Sequence, residues 1–122
     1  HACRTLQMIK DAGAKAGIAI NPGTSFETVK DLLHLCDYVM LMSVNPGFAG
    51  QKYLDFVTPK FKKFVDEAKN YGGYDVMIDG GCSPEKIEML SKMGVKGFIL
   101  GTSALFGKDK SYQEIINELR GL

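Results

Sequence analysis

The chain has 122 residues, of which 45% are apolar and 24% are charged, and this composition is typical of a soluble globular protein. Its 15 Lys and Arg residues against 14 Asp and Glu residues leave a net charge of +1, which excludes the broad basic surface of a generic nucleic-acid-binding protein. No apolar run approaches the roughly 20 residues of a membrane-spanning helix, and the N-terminus lacks the shape of a signal peptide. The length permits one domain and excludes two.

The three cysteines are an odd number, widely spaced and without a C-x-x-C pair. This spacing disfavours a disulfide framework or a zinc finger and favours a reducing cytoplasm. We expect Cys36 to be a small buried hydrophobic residue. Cys82, which adjoins a predicted turn, is expected to be partly exposed.

The first half of the chain alternates helical patterns with short apolar segments. We predict a helix over residues 4–12 that ends before Gly13, and a strand over residues 17–20. A capping box, Thr24-x-x-Glu27, predicts the start of a helix that continues to about Leu35. Residues 37–44 are nearly all apolar, which is the pattern of a strand buried on both faces.

The second half repeats this alternation. Residues 45–51 form a predicted turn, and a long helix over residues 55–70 is expected to direct one apolar side inward: Phe56, Val57, Phe61, Phe64, Val65 and Ala68. Residues 74–78 form the third predicted strand, and Ser83-Pro84 begins a helix that stops at Gly94. Residues 97–100 form the fourth strand, and the capping box Ser111-x-x-Glu114 opens the last helix.

The predicted order is one helix followed by four strand–helix units. Such an order implies parallel strands joined by right-handed crossovers, as in an open doubly wound sheet or a (β/α)8 barrel. A whole barrel needs about 250 residues. Residues 1–122 are therefore predicted to be a single partial domain, the C-terminal half of a larger α/β protein.

Glycine-rich turns follow the last two predicted strands. Gly80-Gly81 and Gly101-Thr102-Ser103 lie where barrels often hold a phosphate, because glycines let backbone N–H groups approach an anion closely. The same glycines are also compatible with tight strand–helix turns that bind nothing. The residues by themselves favour the two interpretations equally.

Asp79 directly follows the third predicted strand. An Asp before Gly-Gly is most often a turn or capping residue, but at the mouth of a barrel it can act as a general acid or base or bind a divalent metal. Two-sided proton transfer would need a second carboxylate from elsewhere. Asp37 lies at the amino end of its strand, which is the wrong edge, whereas Met42 lies near the carboxyl end and can line a site there.

Three segments of the chain resemble one known family. The segments are Met42-Ser-Val-Asn-Pro-Gly-Phe-Ala-Gly-Gln51, Ile78-Asp-Gly-Gly81 and Leu100-Gly-Thr-Ser-Ala-Leu-Phe106. In order and spacing they resemble the ribulose-phosphate 3-epimerase family, and the segments from His1 and from Gly17 resemble the stretch that precedes them. The first motif is highly specific, and the resemblance covers essentially the whole chain.

The resemblance implies a (β/α)8 barrel that interconverts ribulose 5-phosphate and xylulose 5-phosphate in the pentose phosphate pathway. It implies two aspartates on opposite faces of the substrate and one divalent metal ion, which is zinc, iron, manganese or cobalt in different members. Asp79 matches the second aspartate, both a proton carrier and a metal ligand, and Met42 matches a methionine that lines the site. The matches to the substrate loop and the phosphate grip are Gly47, Phe48, Ala49, Gly50, Gly80, Gly81, Thr102 and Ser103.

The family's other site residues belong to the first strands of the barrel and have no counterpart in this chain. We therefore expect the chain alone to be inactive, and to need either a second copy or the absent N-terminal half. Ala49 and Gly101-Thr102-Ser103 are variants that also occur in allulose-6-phosphate 3-epimerases, so this substrate is an alternative. Other phosphate-binding barrels and an inactive phosphate-binding half-barrel are further alternatives. The expected ligand is a ketose phosphate, with neither nucleic acid nor membrane as a partner.

Overall fold

The computed structural model describes residues 1–122 and contains five α-helices and four β-strands. The helices are α1 (Ala2–Asp11), α2 (Phe26–Val29), α3 (Thr58–Glu67), α4 (Pro84–Met93) and α5 (Tyr112–Arg120). The strands are β1 (Gly17–Ile20), β2 (Tyr38–Met42), β3 (Asp75–Asp79) and β4 (Gly97–Ile99). Three 3-10 segments continue or precede these helices: Lys30–Leu35, Asp55–Val57 and Ala68–Asn70.

The four strands form one parallel sheet in the order β1-β2-β3-β4. Parallel neighbours that follow one another in the chain need helical crossovers, and the alternation of strands and helices supplies them. One face of the sheet packs against the helices in a single core, in which Val39, Leu41 and Ile78 meet Phe61 and Phe64, all at 0% exposure. The predicted order of elements is confirmed.

The opposite face of the sheet is open. In β2 burial alternates along the strand, so Val39 and Leu41 are buried while Met40 and Met42 are only partly covered. The expectation that this strand is buried on both faces is therefore wrong for this chain. The register places Met40 beside Met77, and it places Asp79 between Met42 and Ile99. Ile99 is 44% exposed. An uncovered apolar inner face is what half of a barrel leaves.

Most helix ends follow the predicted caps. The Ser83 hydroxyl accepts the N–H of Lys86 at 3.4 Å, and the Ser111 hydroxyl accepts the N–H of Glu114 at 3.2 Å. Helix α4 ends at Gly94 as predicted, and Gly94 adopts the left-handed conformation.

Several local predictions are wrong. The predicted capping box at Thr24 is not formed, because Ser25 is the N-cap of α2 and its hydroxyl contacts Thr28 Oγ1 at 3.0 Å instead of a backbone N–H. That helix has only one α-helical turn before the 3-10 segment. Phe56 is 66% exposed, because the segment before α3 is a 3-10 turn that rotates this side chain away from the core. The first helix begins two residues earlier than predicted, and β2 and β4 are shorter than predicted.

Helix α3 is tied to the turn that follows β1 by one lysine. The Lys60 ammonium donates to the backbone carbonyls of Asn21, Pro22 and Thr24 at 3.0, 2.7 and 3.0 Å. Its partial burial lowers the pKa of Lys60. These bonds join two neighbouring strand–helix units at the carboxyl edge of the sheet. No helix of the chain combines the length and apolar character that membrane spanning requires.

Candidate functional site

A cleft of about 510 Å³ opens at the carboxyl edge of β2, β3 and β4. Ligand sites of parallel α/β folds lie at this edge, where the strand-to-helix turns converge. The cleft brings together all of the predicted site residues and several of their neighbours: Met42, Val44, Asn45, Pro46, Gly47, Phe48, Ala49, Gly50, Gln51, Asp79, Gly80, Gly81, Cys82, Ile99, Leu100, Gly101, Thr102 and Ser103.

The sequence predicted that Asp79 directly follows the third strand, but Asp79 is the last residue of β3. The register places it between Met42 and Ile99, in a row on the open face of the sheet. Its carboxylate is half-buried in the cleft and accepts no hydrogen bond from the chain. This carboxylate is therefore free to accept a proton or a ligand at the cleft.

The Gly80-Gly81 turn is tightly packed against the two ends of the loop that follows β2. Gly80 has φ +121°, and a Cβ there would lie 2.6 Å from Val44 Cγ2. Gly81 has φ +59°, and a Cβ there would lie 2.7 Å from the Tyr53 backbone nitrogen. Both the positive φ and the close approach require glycine at these two positions.

The loop of residues 44–53 crosses one side of the cleft. Its tip is exposed, with Phe48 at 74% exposure. The Gln51 side-chain amide donates to the carbonyls of Asn45 at 2.5 Å and Phe48 at 3.0 Å, and these bonds hold the tip in a compact turn. At the base of the loop, the Leu54 N–H donates to the Ser43 carbonyl at 2.9 Å.

The segment after β4 forms one tight turn. The N–H groups of Ala104, Leu105 and Phe106 all donate to the Gly101 carbonyl, at 3.3, 2.8 and 3.1 Å. The N–H groups of Thr102 and Ser103 in this turn, and that of Gly81 in the neighbouring turn, have no acceptor within the chain. All three residues line the cleft, and unpaired backbone N–H groups are the donors that anion-binding turns use.

Cys82 differs from its predicted environment, and the sequence analysis did not single out Ser43. Cys82 is buried, with 3% exposure, rather than partly exposed, because the Gly80-Gly81 turn folds its side chain into the core. Burial raises the pKa of Cys82 to about 11, which makes it a poor nucleophile. Ser43 is also buried, and it lies in a nearly apolar run of the sequence. The one sequence feature that could have identified it is a hydroxyl at the end of an otherwise apolar strand.

A metal ion has too few ligands in this chain. No group of three or more His, Cys, Asp or Glu side chains that could hold a metal is present, and Asp79 is the one carboxylate that lines the cleft. Zinc sites, for example, use three or four protein ligands. The residues present therefore do not form a metal site by themselves.

The family model described as "Ribulose-phosphate 3 epimerase family" matches residues 1–106. The chain belongs to this family. It is 37% identical to the ribulose-phosphate 3-epimerase of Bacillus subtilis, with 99% of this chain and 56% of the relative covered. It is 39% identical to that of Rhodobacter capsulatus, with 94% of this chain and 50% of the relative covered. The chain thus spans about half the length of the curated relatives that it matches.

A solved structure supports the fold. A mutant tryptophan synthase alpha-subunit from Pyrococcus furiosus superposes with a TM-score of 0.64 at 20% identity, over 100% of this chain and 51% of that one. At this identity the likeness concerns the fold alone. The predicted half of a (β/α)8 barrel is confirmed.

Proposed function

We propose that the chain forms the C-terminal half of a ribulose-phosphate 3-epimerase, which interconverts D-ribulose 5-phosphate and D-xylulose 5-phosphate. One observation carries this proposal. A free carboxylate, Asp79, shares a cleft with two turns whose N–H groups at Gly81, Thr102 and Ser103 lack acceptors. A sugar phosphate needs both features, an acid or base at the reacting carbon and a grip on the distant phosphate.

In this proposal the phosphate binds the N–H groups of the two turns, and Asp79 faces C3 of the ketose. The Asp79 carboxylate removes the C3 proton on its face of the substrate or, once protonated, returns one. A second carboxylate must act on the opposite face, and we place it in the half of the barrel that this chain does not contain. Met42 and Ile99 flank Asp79 and shield the reacting carbon from water.

The metal ion, the cellular compartment, the pathway and the oligomeric state of the whole protein belong to the same proposal. A bound divalent metal would stabilise the enediolate, but most of its ligands would have to come from the other half of the barrel, with Asp79 as one ligand. The three free cysteines, Cys3, Cys36 and Cys82, support a reducing compartment such as the cytoplasm. The place in the pentose phosphate pathway, and oligomer formation, remain predictions.

Allulose 6-phosphate is a second candidate substrate. Ala49 in the loop and the Gly101-Thr102-Ser103 turn, the two variants that suggested it, both line the cleft. Both substrates are ketose phosphates that would react at C3, so Asp79 would have the same role. Comparison of kcat/KM for the two substrates decides between them.

The test is Asp79→Asn in the full-length protein. This nearly isosteric change removes the base, so turnover should fall by about a hundredfold or more while thermal unfolding is unchanged. Asp75→Asn is the matched control, because Asp75 lies at the amino end of the same strand and is exposed there. Near-normal turnover of Asp79→Asn would make Asp79 a turn residue and would refute the proposal.

The phosphate grip has a separate readout. Titration of the full-length protein with inorganic phosphate should shift the amide NMR signals of Gly81, Thr102 and Ser103 together. The Asp79→Asn variant should keep this response, because it keeps the N–H donors. If phosphate shifts none of these signals, the two turns are not the grip.

A further inference from the structure

Ser43 is the one polar residue among the fully buried residues of the chain, and the proposed chemistry gives it no role. It directly follows β2 and has 0% exposure. A buried hydroxyl is costly unless it is hydrogen-bonded, so its partners show what it does.

The Ser43 hydroxyl is directed at the backbone that carries Asp79. It donates a hydrogen bond to the Gly80 carbonyl and lies 3.2 Å from the Asp79 carbonyl. The Ser43 backbone N–H donates to the same Asp79 carbonyl at 3.0 Å. Two groups of one residue therefore fix the backbone on the carboxyl side of Asp79.

The Ser43 carbonyl closes the loop that crosses the cleft. It accepts the Leu54 N–H at 2.9 Å and so joins the two ends of the loop of residues 44–53. Tyr53, next to Leu54, packs against Gly81, and Lys86 of α4 lies 4.4 Å over its ring. The base of the loop is thus attached to the same turn that follows Asp79.

We propose that Ser43 is a positioning residue that couples the loop of residues 44–53 to Asp79. Its carbonyl holds the base of the loop, and its hydroxyl holds the Asp79–Gly80 backbone, so a displacement of one is transmitted to the other. The side chain itself lies in the core and touches no substrate. This inference rests on the proposed function in one respect only, the effect on turnover.

The first test compares Ser43→Ala with Ser43→Thr in the full-length protein. Ser43→Ala removes the hydroxyl and leaves space, so kcat should fall about tenfold, the equivalent of roughly 1.4 kcal/mol of barrier. KM should stay within about threefold, because the Gly101–Ser103 turn, which Ser43 does not contact, still holds the phosphate. Ser43→Thr keeps a hydroxyl and should restore most of kcat. Ser91→Ala is the control, since Ser91 also donates to a backbone carbonyl, on α4, at 3.0 Å.

The second test does not depend on activity. Amide hydrogen exchange, measured without substrate, should accelerate in Ser43→Ala both in residues 44–54 and in residues 79–82, while peptides from α4 stay unchanged. If exchange accelerates in neither segment or in one alone, or if Ala and Thr lower kcat equally, the inference is overturned. A wild-type protein that lacks epimerase activity but shows the coupled exchange would refute the proposed function and leave the coupling intact.

Discussion

The turn after β3 and the loop after β2 both carry glycines with positive φ, and they differ in what surrounds those glycines. At Gly80 and Gly81 a Cβ would come within 2.6 and 2.7 Å of neighbouring atoms. At Gly47 and Gly50, with φ of +134° and +82°, a Cβ would meet nothing within 4 Å. The first pair brings two backbones together, whereas the second pair shapes an exposed loop.

Glycine therefore has two different structural roles at the same cleft. The packed turn holds Asp79 in place and needs its glycines for contact distance. The loop needs its glycines for backbone conformation, and one side chain, Gln51, keeps its tip compact.

The strongest test of the comparison is Gly80→Ala in the full-length protein. A methyl group there would clash with Val44 and strain a positive φ, so the free energy of unfolding should fall by about 3 kcal/mol. Gly101→Ala is the control, because Gly101 has no positive φ and a Cβ there would meet nothing within 4 Å. Chemical denaturation measures both variants. Equal losses of stability would show that the turn after β3 is not specially packed.

A smaller effect is expected from Gln51→Met, which removes the amide and keeps the length of the side chain. The loss of two hydrogen bonds to Asn45 and Phe48 should favour local opening of the loop by about 1 kcal/mol. Chymotrypsin should then cleave after the exposed Phe48 about fivefold faster, with global stability unchanged. Gln113→Met is the control, since Gln113 bonds to Asn117 on α5. An unchanged cleavage rate would show that Gln51 does not restrain the loop.

The third prediction concerns thiol reactivity and needs no substitution. Cys3 is exposed and should react with iodoacetamide first, whereas Cys82 is buried and burial raises its pKa to about 11. The folded state therefore holds the Cys82 thiol proton more tightly than the unfolded state does. The part of the free energy of unfolding that comes from this difference is fully present below about pH 9 and is lost as the pH rises toward about 11. Peptide mapping should find slow labelling of Cys82 at pH 8 that accelerates with pH. Fast labelling at pH 8 would mean that the turn is loosely packed.

The sequence predicted the order of the elements well, because glycine, proline and capping residues mark most ends of these helices and strands. Ser83 and Ser111 cap their helices as expected, since a local serine and the following N–H groups are sufficient for that interaction. The motifs also indicated which residues would line one cleft. The site roles assigned to these residues remain predictions.

Other features depend on contacts that are distant in the chain. Ser25 replaces Thr24 as the N-cap, a shift of one residue that local pattern does not resolve. The burial of Cys82 and the role of Ser43 depend on how two turns separated by more than thirty residues pack together. The partial exposure of Met40 and Met42 depends on the open face of the sheet, which strand hydrophobicity alone does not reveal.

The charges at the cleft have a consequence for the kinetics of substrate capture. Asp79 is the one charged side chain in the lining of this half of the cleft, and no Lys or Arg is part of it. Lys60, at the same edge of the sheet, has all three of its protons directed at backbone carbonyls. An anion would therefore be held here by N–H dipoles, whose attraction extends over a much shorter distance than that of a full charge. This half of the cleft has no cation to attract a dianion over a long distance, and the Asp79 carboxylate repels it. Its contribution to the association rate should therefore rise slightly as salt screens that repulsion.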